Sequence, residues 1–221
     1  METKLNYKRT FLIGLAFLSI CSFWQMYDNI IPLILQNTYH LGETMTGAVM
    51  ALDNVLAIFL LPVFGMLSDK VHTKLGRRMP FIVAGTILAV IFMMLLPMID
   101  NAEKARWSTG ESFSNQVIFL AVLFFTLVSM GLYRSPAVAL MPDVTPNHLR
   151  SRANAVINLM GAVGGVYALI MIKVLVGKGE TPDYLPLFAS IAAVMAIAVG
   201  ILVITIRAVS YTHLTLPTNS L

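Results

Sequence analysis

The chain has 221 residues, of which 57% are hydrophobic and only 12% charged. Soluble domains carry about twice that charged share, which argues against a water-soluble globular fold, and the single cysteine, Cys21, rules out a disulfide or a cysteine-built metal site within the chain. The formal net charge of +4 points to no nucleic-acid partner, because the basic residues gather in the loops of one side, as membrane insertion requires.

Six runs are long and apolar enough to cross a bilayer, where about 20 residues at about 1.5 Å each span the hydrocarbon. They cover 10–35, 44–67, 80–99, 116–140, 154–176 and 185–206. The first follows Lys4, Lys8 and Arg9, but its apolar stretch is longer than a signal-peptide core and no small-residue cleavage site follows, so it reads as a retained helix. Within it, "MYDNIIPLIL" sets Asp28 and Asn29 among aliphatic side chains, with Trp24 one turn earlier. The second run, "ALDNVLAIFLL", repeats the pair as Asp53 and Asn54. A charge-dense loop, 67–79, leads to the third run, and the polar stretch from Asp100 to Asn115 reads as a solvated connector.

The fourth run carries Arg134 toward its far end. In the following "MPDVTPNHLRSRAN", Thr145 and Pro146 predict a helix start with Thr as N-cap, and a short helix lying on the membrane face. Along the fifth run Asn154, Asn158, Gly161 and Gly165 share one narrow stripe, a spacing suited to close helix packing, with Asn158 deep enough to touch a solute. The sixth run ends near Arg207. Residues 209–221, "VSYTHLTLPTNSL", lose both hydropathy and periodicity. We expect a non-native or disordered tail there, and a six-helix bundle over residues 1–208.

Lys4, Lys8, Arg9, Lys70, Lys74, Arg77, Arg78, Arg150, Arg152 and Arg207 fall on one side of the expected spans, against Lys104, Arg106 and Lys178 on the other. This asymmetry predicts a multi-pass plasma-membrane protein whose N-terminus and residue 207 end are cytoplasmic.

An ionised Asp at a helix centre costs about 2.5–3.5 kcal/mol on insertion. Such groups usually face a bundle interior or a water-filled cavity and mark solute or ion paths. A carboxyl group drawn out of water favours its neutral form, so Asp28 and Asp53 suit proton coupling; paired carboxylates also suit Na⁺. The competing reading makes Asn29 and Asn54 cross-helix hydrogen-bonding partners that lock packing. Arg134 can snorkel, pair with a carboxylate or hold a solute, and Trp24 can stack on a sugar or fill the core. No Walker loop, HExxH or GxSxG occurs, so no enzyme activity and no cofactor are expected.

"GMLSDKVHTKLGRRMPFI", residues 65–82, resembles the signature loop of the major facilitator superfamily: Gly-x-Leu-x-Asp, a basic stretch, then Gly-Arg-Arg. Gly65, Asp69, Gly76, Arg77 and Arg78 carry the likeness, and three extra residues before the Gly-Arg-Arg are shared with the sugar–cation symporters. Residues 133–165 are similar to the helix-four-to-five segment of plant-type sucrose–proton symporters and glycoside–pentoside–hexuronide–cation symporters. The second run is similar to that of the melibiose-type branch, whose acid one turn into the span serves cation coupling; Asp53 matches it. The branch's second acid is replaced by Ala57, which implies protons rather than Na⁺.

The resemblance implies an all-α, twelve-helix carrier of two six-helix halves, with solute held between them near the midplane and access alternating by rocking. This chain would be the N-terminal half, with a C-terminal six-helix half, the lipid bilayer and a small solute, a sugar foremost, as partners. Asp53 and Asp28 are the expected coupling residues, and Arg134, Trp24, Asn54 and Asn158 the expected solute contacts. Gly65, Asp69, Gly76, Arg77, Arg78, Asp143 and Arg150 form the expected conformational latch. A carrier of another small organic solute and a non-transporting six-helix scaffold stand as alternatives.

Overall fold

A computed structural model describes residues 7–71, 73, 78–109, 115–177, 179 and 181–214, and among these every regular element is helical. The helices are α1 (Tyr7–Asn37), α2 (Glu43–Lys70), α3 (Met79–Thr109), α4 (Gln116–Val144), α5 (Arg150–Leu175) and α6 (Leu185–Leu214), with a 3-10 turn at Asn147–Leu149. Each is long and apolar enough to cross a membrane. Prolines lie inside four of them, at Pro32, Pro62, Pro97, Pro136 and Pro142, as membrane helices tolerate where neighbours re-satisfy the backbone.

The pairing of helices has an internal symmetry. The main partners are α1 with α5, α1 with α6, α4 with α2, α4 with α3, and α3 with α6. Exchanging the first three helices for the last three leaves that set unchanged, the pattern of two three-helix units. α1 and α4 are therefore the central helices. Their crossing is pinned by the Ser19 and Tyr133 hydroxyls, 2.7 Å apart, with Tyr133 also donating to Ala16 O at 3.1 Å.

Because lipid is as apolar as leucine, close backbone approach and interhelical hydrogen bonds hold such bundles together. Ser22 Oγ donates to Gly164 O at 2.9 Å across α1 and α5, and Ser135 Oγ to Leu61 O at 2.8 Å across α4 and α2. A Cβ at Gly164 would sit 2.1 Å from Leu18 O, and one at Gly85 would sit 2.6 Å from the Tyr133 N. Glycine is required at both crossings. By contrast, α2 leaves Val55, Ile58, Phe59 and Val63 exposed, and α5 leaves Leu159, Val163, Val166 and Leu169 exposed.

Several expectations need correction. The stretch after Asp100 is no solvated connector: α3 continues to Thr109, and Asp100 and Glu103 are buried. Their charges are matched locally, which is why hydropathy misplaces the helix end. Asp100 accepts from Thr38 Oγ1 and Lys104 Nζ, each at 2.6 Å, and Lys104 also donates to Pro182 O at 2.6 Å. Glu103 accepts from the Asn115 N–H at 2.9 Å. Burial, with Asp100 close by, raises the Tyr184 phenol above its usual pKa, so its ring is neutral beneath the Lys104 ammonium, 4.6 Å from the centroid.

The short helix on the membrane face is also absent from the described residues. A single 3-10 turn runs straight into α5, its N-cap is Pro146, and no side chain caps it. Thr145 is instead buried. Of the expected tail, 209–214 continue α6, and 215–221 lie outside the described residues.

Candidate functional site

At mid-span, α1, α2 and α4 bring three of the singled-out side chains to one cavity. Trp24, Asp53 and Arg134 line it together with Leu56, Ala57, Leu60 and Gly131. The Arg134 guanidinium lies over the Trp24 ring, 5.5 Å from its centroid, a cation–π contact that holds the charge without neutralising it. Asp53 faces the same space, yet among the described residues Arg134 forms no ion pair. Among the described residues, the buried Trp24 indole N–H has no acceptor and the buried Tyr27 hydroxyl one turn later has no partner. The cavity itself holds about 20 Å³, room for roughly one water.

Asp28 and Asn29 lie on the exposed front of α1 rather than in this cavity. Neither amide acts as a cross-helix lock. Asn29 Nδ2 donates to Gln25 O of its own helix at 2.7 Å, and Asn54 Nδ2 to Asp53 Oδ1 at 3.0 Å. Both sit on faces that no other described helix covers, so they turn back on their own strand of backbone or neighbour.

A second, larger opening runs between α1 and α5. It has a volume of about 390 Å³ and is lined by Cys21, Gln25, Asn158, Gly161 and Gly165, with Phe17 at one side. Asn158 is exposed into it. Sequence reading found the Asn158, Gly161 and Gly165 stripe but missed two things. Gly164, off that stripe, is the residue at the tight crossing, and Gln25 of α1 is the facing amide. The signal for Gln25 was available, since it falls one turn after Cys21 in an otherwise apolar run.

At the end of the bundle where α2 and α4 finish and α3 begins, Arg78 joins three helices. Its Nη2 pairs with Asp69 Oδ1 at 3.0 Å and its Nε with Asp143 Oδ2 at 2.5 Å. Arg150 donates to Pro142 O at 3.0 Å and Thr145 O at 3.3 Å, satisfying carbonyls at the α4 C-terminus where a cation suits the helix dipole. Gly65 adjoins Ser135 of α4 and accepts at its carbonyl from Ser68 Oγ at 2.8 Å. Gly76 and Arg77 lie outside the described residues.

Arg78 is nearly buried while both carboxylates are half-exposed, so the pair is worth an amount between the exposed and buried limits. Arg78→Ala should lower stability by about 1–2 kcal/mol. Arg78→Lys should recover less than half, because one ammonium cannot serve both carboxylates as a planar fork does. Thermal unfolding of the detergent-solubilised chain checks both; an unchanged midpoint for Arg78→Ala would contradict the assignment.

Six membrane-length helices, three of them lining a mid-span charged cavity, with an arginine between two carboxylates at one end of the bundle, define a multi-pass helical membrane protein. The chain belongs to the Major Facilitator Superfamily, whose family model matches residues 13–218. Among curated relatives it is 35% identical over 116 residues to Sucrose transport protein SUC4 of Arabidopsis thaliana, covering 49% of this chain and 22% of that protein. It is 26% identical over 137 residues to Sucrose transport protein SUT3 of Oryza sativa subsp. japonica, covering 58% of this chain and 27% of that protein. The chain thus matches about a quarter of the length of these relatives.

Proposed function

We propose that this chain is the first six-helix half of a carrier that moves a sugar or glycoside together with a proton. The observation that carries the reading is the convergence of Asp53, Arg134 and Trp24 on one mid-span cavity with no ion pair, among the described residues, between the acid and the guanidinium. A membrane-embedded carboxylate and a guanidinium that share one cavity, the guanidinium resting over an aromatic ring, form a switchable pair. Protonating Asp53 removes its attraction to Arg134, and releasing the proton restores it. The exposed apolar faces of α2 and α5 supply the surface on which a second six-helix half would sit, with the solute between the halves. The sugar preference rests on the names of the sucrose transport proteins it resembles. The proton rests on Ala57 standing where the likeness would want a second acid. The excess of Lys and Arg in the loops that include Arg78 and Arg150 favours a plasma membrane with both ends of the bundle in the cytoplasm.

The decisive experiment is Asp53→Asn in the carrier read from its complete gene, reconstituted in vesicles with a pH-sensitive dye inside. Sugar-driven proton entry should fall to the background of empty vesicles, while sugar binding persists. Proton entry that continues in Asp53→Asn at the parent rate would overturn the coupling role.

A further inference from the structure

We infer that the mid-span cavity between α1, α2 and α4 is a built site for one water, which joins the Trp24 indole N–H and the Arg134 guanidinium to the Asp53 carboxylate. Its part in coupling rests on the carrier reading; the site itself does not. Space selects the ligand first. The cavity holds about 20 Å³, more than the roughly 10–15 Å³ that one water needs and far below the ~300–1,000 Å³ of a small-molecule site. A buried water also needs about two to four polar partners. Three stand in the lining, each from a different helix: Trp24 of α1, Asp53 of α2 and Arg134 of α4.

Each of the three gains by holding it. Among the described residues the Trp24 N–H has no acceptor, and a buried donor left in that state costs about 1–3 kcal/mol. The Arg134 guanidinium lies over the Trp24 ring, 5.5 Å from its centroid. That contact uses the face of the indole and not its N–H, so Trp24 holds the cation with one part and the water with another. Asp53 Oδ1 accepts from Asn54 Nδ2 at 3.0 Å, and an ionised carboxylate has lone pairs to spare for further donors. Immobilising a water costs at most about 2 kcal/mol. Hydrogen bonds to charged groups return about 1.5–3 kcal/mol each, so the occupied site wins.

The remaining lining is Leu56, Ala57, Leu60, Leu61, Leu127 and Gly131, none of which has a polar side chain to compete for the water. Small residues keep the room. A Cβ at Gly131 would stand 3.4 Å from Leu60 Cδ1, and a leucine in place of Ala57 would grow into the space. The consequence concerns the proton. A guanidinium does not release its proton in proteins, and an indole N–H only donates a hydrogen bond. Within the cavity the water alone can therefore exchange a proton with Asp53. A hydronium there gives its proton to a carboxylate oxygen, leaving a neutral acid and a neutral water, and the reverse step restores the carboxylate.

The chain has two tryptophans, so Trp107→Phe leaves Trp24 as the sole indole. With isotope-labelled tryptophan and the chain in detergent micelles, its N–H should show a nuclear Overhauser cross-peak to water, with the rotating-frame sign of a held water and not of hydrogen exchange. Ala57→Leu fills the space and Asp53→Leu removes the acceptor; each should abolish the cross-peak while helical circular dichroism stays unchanged. In the complete carrier, Ala57→Leu should also slow sugar-driven proton entry about a hundredfold, the scale of one lost proton-transfer partner, while sugar binding persists. No cross-peak in Trp107→Phe overturns the site. So does a cross-peak that survives both Ala57→Leu and Asp53→Leu, because that water lies elsewhere. Should Asp53→Asn abolish coupling while the indole sees no water, the carrier reading stands and the water site falls. Should the water be present while Asp53→Asn leaves coupling at the parent rate, the site stands and its part in coupling is overturned.

Discussion

Gly164→Val should be among the most damaging single substitutions in the chain. Its Cβ would sit 2.1 Å from Leu18 O and 3.0 Å from Leu18 Cα, so the obstruction is backbone, which cannot rotate away as a side chain does. α1 and α5 would have to separate. Separation would also break the hydrogen bond from Ser22 Oγ to Gly164 O. Overpacking alone costs about 1–3 kcal/mol, occasionally more, and the lost bond adds about 1 kcal/mol; Gly164→Val belongs at or above the top of that range. Two other glycines supply controls. Gly200 has open space where a Cβ would go, so Gly200→Ala should gain about 0.5–1 kcal/mol from reduced backbone entropy. Gly165→Ala meets only an ordinary contact at 3.7 Å and should lie near neutral. Thermal unfolding midpoints of the three variants in one detergent give the order, and Gly164→Val ranking beside Gly165→Ala would refute the close-crossing argument.

The fold could be read from the chain because lipid imposes a simple rule, that a span must be long and apolar. All six helices follow it. The rule fails where polar groups are buried in mutual contact. Asp100, Lys104 and Glu103 look like a watery loop to any hydropathy argument, yet they lie inside a helix because each finds its partner. Likewise, Asp28 and Asp53 are alike in sequence, each followed by Asn, but only Asp53 reaches the cavity with Trp24 and Arg134. The difference lies in which face of its helix each acid occupies relative to α4. That is a property of packing and not of local pattern. Gln25 differs: its polarity in the α1 run was legible, but its facing Asn158, more than a hundred residues away, was not.

Asp100→Ala should cost nearly as much as the blocked crossing, through electrostatics in place of sterics. Asp100 is 0% exposed, and its two oxygens are occupied by Thr38 Oγ1 and Lys104 Nζ. Removing it strands the Lys104 ammonium, itself only 11% exposed, with Pro182 O and the Tyr184 ring as its remaining partners. Breaking a buried pair from one side costs about 3–5 kcal/mol, because the leftover charge has lost its counter-ion away from water. Asp100→Asn should cost less, since its amide oxygen still accepts from Thr38. The double variant Asp100→Leu with Lys104→Met should recover most of the loss, because a well-packed apolar pair often matches a buried ion pair. The cluster ties the end of α1 through α3 to the start of α6, so its loss should loosen the joint between the two three-helix units first. Thermal unfolding of the single and double variants measures the coupling directly. If Asp100→Ala falls within about 0.5 kcal/mol of the parent, the level of an ordinary surface change, the buried pair does not hold this end of the bundle together.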